Sequence, residues 1–172
     1  MRNYHKFMSD TRFQIIALPT RTADAVRETM RAPGYGHPAT SEVATGPGPC
    51  RHCLRPFAIG DDKRILFTYD PFADNESLPL PGPIFVHADA CERYAASDGF
   101  PKHLRSLALT FNAYGRGRKL REQAYASNGD IDATIERLLS RPDVDYIHVR
   151  RTDAGCFAFR IERSEGTSVS VS

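Results

Sequence analysis

Residues 144–162 read Val144-Asp145-Tyr146-Ile147-His148-Val149-Arg150-Arg151-Thr152-Asp153-Ala154-Gly155-Cys156-Phe157-Ala158-Phe159-Arg160-Ile161-Glu162. β-Branched and aromatic residues on both sides of Thr152-Asp153-Ala154-Gly155 predict two strands joined by a turn. Side chains alternate across a strand, so Phe157, Phe159 and Ile161 are expected on one face and Cys156, Ala158 and Arg160 on the other. A strand that returns at once on its neighbour makes an antiparallel pair, whereas parallel strands need a long crossover. The segment before has the same form. Leu107, Leu109, Phe111 and Ala113 alternate with polar or small residues, which predicts a half-buried strand. Gly115-Arg116-Gly117 reads as a hairpin turn and residues 119–126 as the return strand. Between the hairpins, Ile131, Ile135, Leu138 and Leu139 share one helical face, with Asn128-Gly129-Asp130 as the start signal and Pro142 as the stop. Hairpins interleaved with helices specify an α+β fold with a mainly antiparallel sheet, two or three helices and long Pro/Gly-rich loops.

Toward the N-terminus the periodic signals thin out. Residues 13–18 read as a strand closed by Pro19. Thr20 or Thr22 can cap a helix running to about Met30, with Ala23, Val26 and Met30 inward and Arg21, Arg27 and Arg31 in water. Residues 32–49 hold four prolines and four glycines and read as a long irregular stretch carrying Tyr35 and His37. Residues 64–69 form a strand-type run stopped by Asp70-Pro71. A proline-rich stretch then leads to a brief buried strand at residues 84–86. Asp89 is expected to cap a short helix holding Cys91, Tyr94 and Ala95. Residues 1–10 are expected to be a flexible leader and 164–172 a flexible tail around a single domain at 11–163.

The totals exclude several classes. A chain of 172 residues with 41% hydrophobic residues is long enough for its own core. No apolar run reaches the ~20 residues of a membrane span, and the charged N-terminus lacks a secretory signal's apolar core. A cytoplasmic location is therefore expected, where clustered cysteines point to metal or catalysis before disulfides. A net charge of +2 argues against a dedicated nucleic-acid binder. The one basic cluster, Arg116 to Arg121, reads as a solvated turn. There is no internal repeat, Walker-type loop or dinucleotide fingerprint. The prolines of Gly46-Pro47-Gly48-Pro49 remove backbone donors that a phosphate cradle needs. Neither the oligomeric state nor a partner can be read from these features.

Chemistry concentrates between Cys50 and Cys91. Cys50-Arg51-His52-Cys53 opens that stretch and His87-Ala88-Asp89-Ala90-Cys91 closes it. Cys-x2-Cys puts two thiolates in one tight turn, and zinc takes four such ligands in a tetrahedron. His87 at a strand end and Cys91 just beyond it would complete the set. Cys50, Cys53, His87 and Cys91 are thus the candidate metal ligands, and a structural Cys3His zinc site is the leading reading. Three alternatives stay open. Arg51 and His52 between the thiols can stabilise a thiolate for redox or nucleophilic chemistry, although Pro56 rules out the long helix that usually follows a redox Cys-x2-Cys pair. An open metal site would need a general base, for which Asp89, His52 and Glu92 are the nearest candidates. An interaction module acting through residues 32–49 or 70–83 is the third. Bland roles compete for each residue: Asp89 as a helix cap, Glu92 as a first-turn dipole partner, His52 as an exposed turn residue. Cys156 reads as a buried free thiol, His103 as solvent-facing, and His148 as a satisfied, half-exposed strand histidine.

Four segments together resemble one family. They are Phe13-Gln14-Ile15, Cys50-Arg51-His52-Cys53-Leu54, the run from Pro83 to Cys91, and the run from Ala154 to Arg163. The chain is similar, from about Phe13 to Arg163, to the bacterial family catalogued as domain of unknown function 1203. The resemblance implies a small, free-standing bacterial cytoplasmic protein. It transfers no catalytic role.

Overall fold

The computed structural model describes residues 12–73 and 80–164. The leader at 1–10 and nearly all of the tail lie outside them. Among the described residues, eight strands form two antiparallel sheets. The larger contains β1 (Phe13–Ile16), β5 (Leu109–Tyr114), β6 (Leu120–Ala126), β7 (Tyr146–Arg151) and β8 (Phe157–Arg163), in the order β1-β8-β7-β5-β6. The smaller contains β2 (Thr40–Val43), β3 (Lys63–Tyr69) and β4 (Gly82–His87) in sequence order. Two helices, α1 (Thr20–Thr29) and α2 (Ile131–Leu139), complete the α+β architecture.

Each sheet has its own helix. All four stripe residues of α2 are buried and pack with Phe111, Val149, Phe159 and Ile161 of the large sheet. Ala23 and Val26 of α1 pack with Ile65, Phe67, Ile84 and Val86 of the small one. The sheets meet where Tyr69 of β3 lies 5.8 Å from Phe157 of β8.

Several expectations are corrected. β5 is buried along its whole length, because it lies between β6 and β7 and is covered on both faces. β2 lies within the stretch read as irregular; its residues are all exposed, so no period marks them, and only the ladder to β3 makes the strand. No helix follows Asp89, which is exposed, so neither the capping role of Asp89 nor the dipole role of Glu92 exists. The backbone there finds distant partners: Tyr94 N–H donates to His52 O at 2.9 Å, and Ile15 N–H to Ala96 O at 3.2 Å. A segment whose backbone groups pair with distant partners, the Tyr94 N–H with His52 and the Ala96 carbonyl with β1, does not close helical bonds on itself. α1 starts without a threonine side-chain cap, since Thr22 and Ala23 N–H turn to the Pro19 carbonyl. Finally, a bulge between Val149 and Arg150 shifts the β7–β8 register. Phe157 therefore faces away from Phe159 and Ile161 and joins the α1 cluster, against the simple alternation.

Candidate metal centre

Three structural pieces carry the four candidate ligands. Cys50 and Cys53 flank a turn closed by Leu54 N–H donating to Cys50 O at 2.8 Å. Leu54 takes the left-handed conformation, φ 58°, and Pro49 bridges to Pro56 across the base. This knuckle docks on β4, where Arg51 N–H donates to Phe85 O at 3.0 Å. His87 is the last residue of β4, and Cys91 follows in the irregular segment.

One ligand atom from each of Cys50, Cys53, His87 and Cys91 lies within 4.8 Å of all the others. A zinc tetrahedron with Zn–S near 2.3 Å and Zn–N near 2.0–2.1 Å has S···S edges of about 3.8 Å and S···N edges of about 3.5 Å. Here the Cys50 and Cys91 sulfurs are 3.9 Å apart, and Cys53 Sγ is 3.4 Å from His87 Nδ1. The donor set therefore fits a four-coordinate ion. Cys50 and Cys53 are buried and His87 and Cys91 partly so.

The surroundings orient these atoms. His87 Nε2 faces Asp62 Oδ2 at 3.2 Å, which leaves Nδ1 turned to the sulfurs. A carboxylate on the far nitrogen is a common support for a metal-binding histidine. His87 N–H donates to Cys50 Sγ at 3.3 Å. Cys91 Sγ receives Arg27 Nη2 at 3.2 Å and stands 3.2 Å from His52 Nδ1. Arg27 Nε also donates to the His87 carbonyl at 3.1 Å. The arginine expected in water on α1 thus ties that helix to the site. His52, expected exposed, is buried, and its Nε2 meets Thr20 Oγ1 at 3.0 Å.

The electrostatics call for a cation. Without one, hydrogen bonds from Cys50 and Cys91 hold the Cys53 thiol far below its usual range, while the same crowding pushes Cys91 far above it. His87 is raised to about 10 by its contacts with Cys50 and then Cys53. The bare cluster thus holds one thiolate readily and resists a second, a penalty that a divalent ion would remove. Burial, then Arg27, lowers His52, so its ring is neutral at pH 7.

Other candidates sit elsewhere. Buried Arg51 turns away from the knuckle's sulfurs, donating to Phe157 O at 2.8 Å, Cys156 Sγ at 2.8 Å and the Pro49 carbonyl. Cys156 is therefore the partner of Arg51 and not a fifth ligand, and it is only partly buried. His103 is exposed, as expected, and Glu92 is exposed as well. His148 is fully buried, not half-exposed, and neither ring nitrogen has a partner. Asp89 lines a cavity of about 260 Å³ with Asp62, His87 and Cys91. Arg118 lies over the Phe72 ring at 5.0 Å, so the basic turn does have an aromatic neighbour. Sequence reading missed Arg27, Asp62 and the buried state of His52; nothing in their local spacing marks them.

The model of the family described as proteins of unknown function (DUF1203) matches residues 47–163. The chain belongs to this family. All four candidate ligands of this DUF1203 chain fall within the match, whereas β1 and α1, including Arg27, precede it. No curated protein and no solved structure matches the chain.

Proposed function

We propose that this DUF1203 protein holds a structural zinc ion through Cys50, Cys53, His87 and Cys91. The observation that carries the reading is the convergence of the four donors, within 4.8 Å of one another, from segments far apart in the chain. Zinc suits three thiolates and an imidazole in a tetrahedral set, and a set with four protein ligands is of the structural type. Bound there, the ion would join the knuckle, the end of β4 and the segment after it. Asp62 would fix the His87 ring, and Arg27 and His52 would stabilise the Cys91 thiolate. Three thiolates and a dication leave a net negative charge, which the Arg27 guanidinium offsets.

Elemental analysis of protein purified without added metal tests this, with about one zinc per chain expected. Cys53→Ala should lose the metal and unfold at markedly lower temperature, because metal binding to a site formed by folding is itself folding free energy. Metal-free wild-type protein with unchanged stability would remove the proposal. Among the described residues no helix is long and apolar enough to cross a membrane.

A further inference from the structure

A sheet can still pair at its edges, and among the described residues three of the four edges are covered or short. On β1, Ile15 N–H donates to Ala96 O. On β4, the knuckle's Arg51 N–H donates to Phe85 O. β2 is only four residues long. β6 differs. It ends the five-strand order with β5 alone beside it, runs for seven residues and contains no proline. An uncovered edge of that length presents a row of backbone donors and acceptors to another strand.

Its side chains add to this. Tyr125, 66% exposed, and Leu120, 50% exposed, are large apolar groups left in solvent. Phe111 pairs with Ala124, which packs on the α2 side, so Gln123 and Tyr125 stand on the face turned away from α2. The register shifts at Ala113 and Tyr114, so Tyr114 pairs with Leu120 and residue 121 is the extra one. Leu120 therefore shares the face of Gln123 and Tyr125. Charges commonly blunt an edge, but those of β6 are occupied within the chain. Glu122 accepts from Arg137 and Arg141 at 2.6 and 2.9 Å, and Arg121 lies 3.7 Å from Asp143.

The strand's own sequence fits a second copy of itself. In an antiparallel pair, residues directly opposite either both turn their backbone groups to the partner or both turn them away. Two copies of one strand therefore meet about an axis that passes through a residue. An axis at Glu122 would set two carboxylates opposite one another, which destabilises a pair. An axis at Ala124 would carry Leu120 past the end of the other strand. Gln123 is the midpoint of Leu120–Ala126, so an axis there gives the longest overlap. Each Tyr125 then lies across from the bulge of the other copy, where Leu120 stands. The two Gln123 amides face each other between these apolar contacts, and no like charges oppose.

We propose that β6 is the interface of a homodimer, in which a second copy adds its β6 antiparallel about Gln123 and joins the two five-strand sheets into one. The interface holds none of the candidate metal ligands and does not rest on the zinc reading. Sedimentation equilibrium of the full chain, in reductant and over a range of concentrations, should show a mass rising toward twice that of one chain. Tyr125→Lys and Leu120→Lys each put a cation into a contact that symmetry repeats, and each should raise the concentration of half-dimerisation about tenfold or more. Ile59→Lys, at an exposed side chain outside β6, should leave it unchanged. Circular dichroism checks that each variant keeps the wild-type fold. Gln123→Cys tests the register, because opposite Cα atoms of an antiparallel pair stand about 4.5–5.5 Å apart, within the ~4.4–6.8 Å that a disulfide spans. Mild oxidation followed by peptide mapping should find two Gln123→Cys chains linked through that position, and no such self-link in Glu136→Cys on α2. A mass of one chain at every concentration, a dimer equally strong in folded Tyr125→Lys and Leu120→Lys, or a dimer whose Gln123→Cys form does not link at that position would overturn the assignment.

Discussion

His87 shows how much of the site depends on one ring being held by its far side. Asp62 takes Nε2 and leaves Nδ1 to the sulfurs. Removing such a carboxylate costs a metal site about 10–100-fold in affinity. Asp62→Asn should therefore still bind zinc but release it that much more readily to a competing chelator; unchanged competition would show that Asp62 is a bystander. His148 makes a different prediction. Burial, then Arg150 and Arg160, push it down from 6.5 to about 3. Between these values the unfolded chain accepts a proton that the folded chain refuses. Stability is therefore unaffected above pH 6.5 and falls as pH drops toward 3, at up to about 1.4 kcal/mol per unit. Urea midpoints across that window should fall less steeply in His148→Phe than in wild type. Acid loss of metal is common to both proteins, so the difference isolates His148. The candidate ligands themselves were legible as residues, since thiols and imidazoles at short spacings are few. Arg27 and His52 were not, because helical period and local polarity placed both in solvent.

The elements differ in what they owe to neighbours. α2 and the β5–β6 and β7–β8 hairpins follow from local period and turn residues, and the structure has them within a few residues of expectation. The segment after β4 does not. Its backbone is spent on β1 and on His52, so the cap and helix suggested by Asp89 never form. β2 likewise exists only through its ladder to β3. These metal-proximal elements have few autonomous signals, and a bound ion would supply the constraint they lack. Chelation should then raise amide exchange first in residues 50–56, β4 and residues 91–96, while β5, β7 and α2 keep their protection. Uniform loosening of both sheets, or no change at all, would contradict a local structural role for the ion.

At the scale of the whole molecule, two helix-covered antiparallel sheets meet along Tyr69 and Phe157, and Arg51 of the cysteine knuckle is tied to that junction by donating to the Phe157 carbonyl at 2.8 Å. Phe157 reaches it only because the bulge in β7–β8 reverses its side, a change that alternation cannot foresee. The same register aligns Asn112, His148 and Arg160, which are remote in sequence and unremarkable one by one. Composition, period and turn chemistry determined the α+β class, the hairpins, the α2 stripe and the kinds of donor atom available for a metal, since each of these depends on residues a few positions apart. Tertiary structure alone decided that Cys50 and Cys91 stand 3.9 Å apart, that Arg27 and His52 turn inward, and that His148 is sealed without a partner. Those outcomes depend on which distant segments pack together, and packing free energy belongs to the assembled core, not to any short stretch of chain.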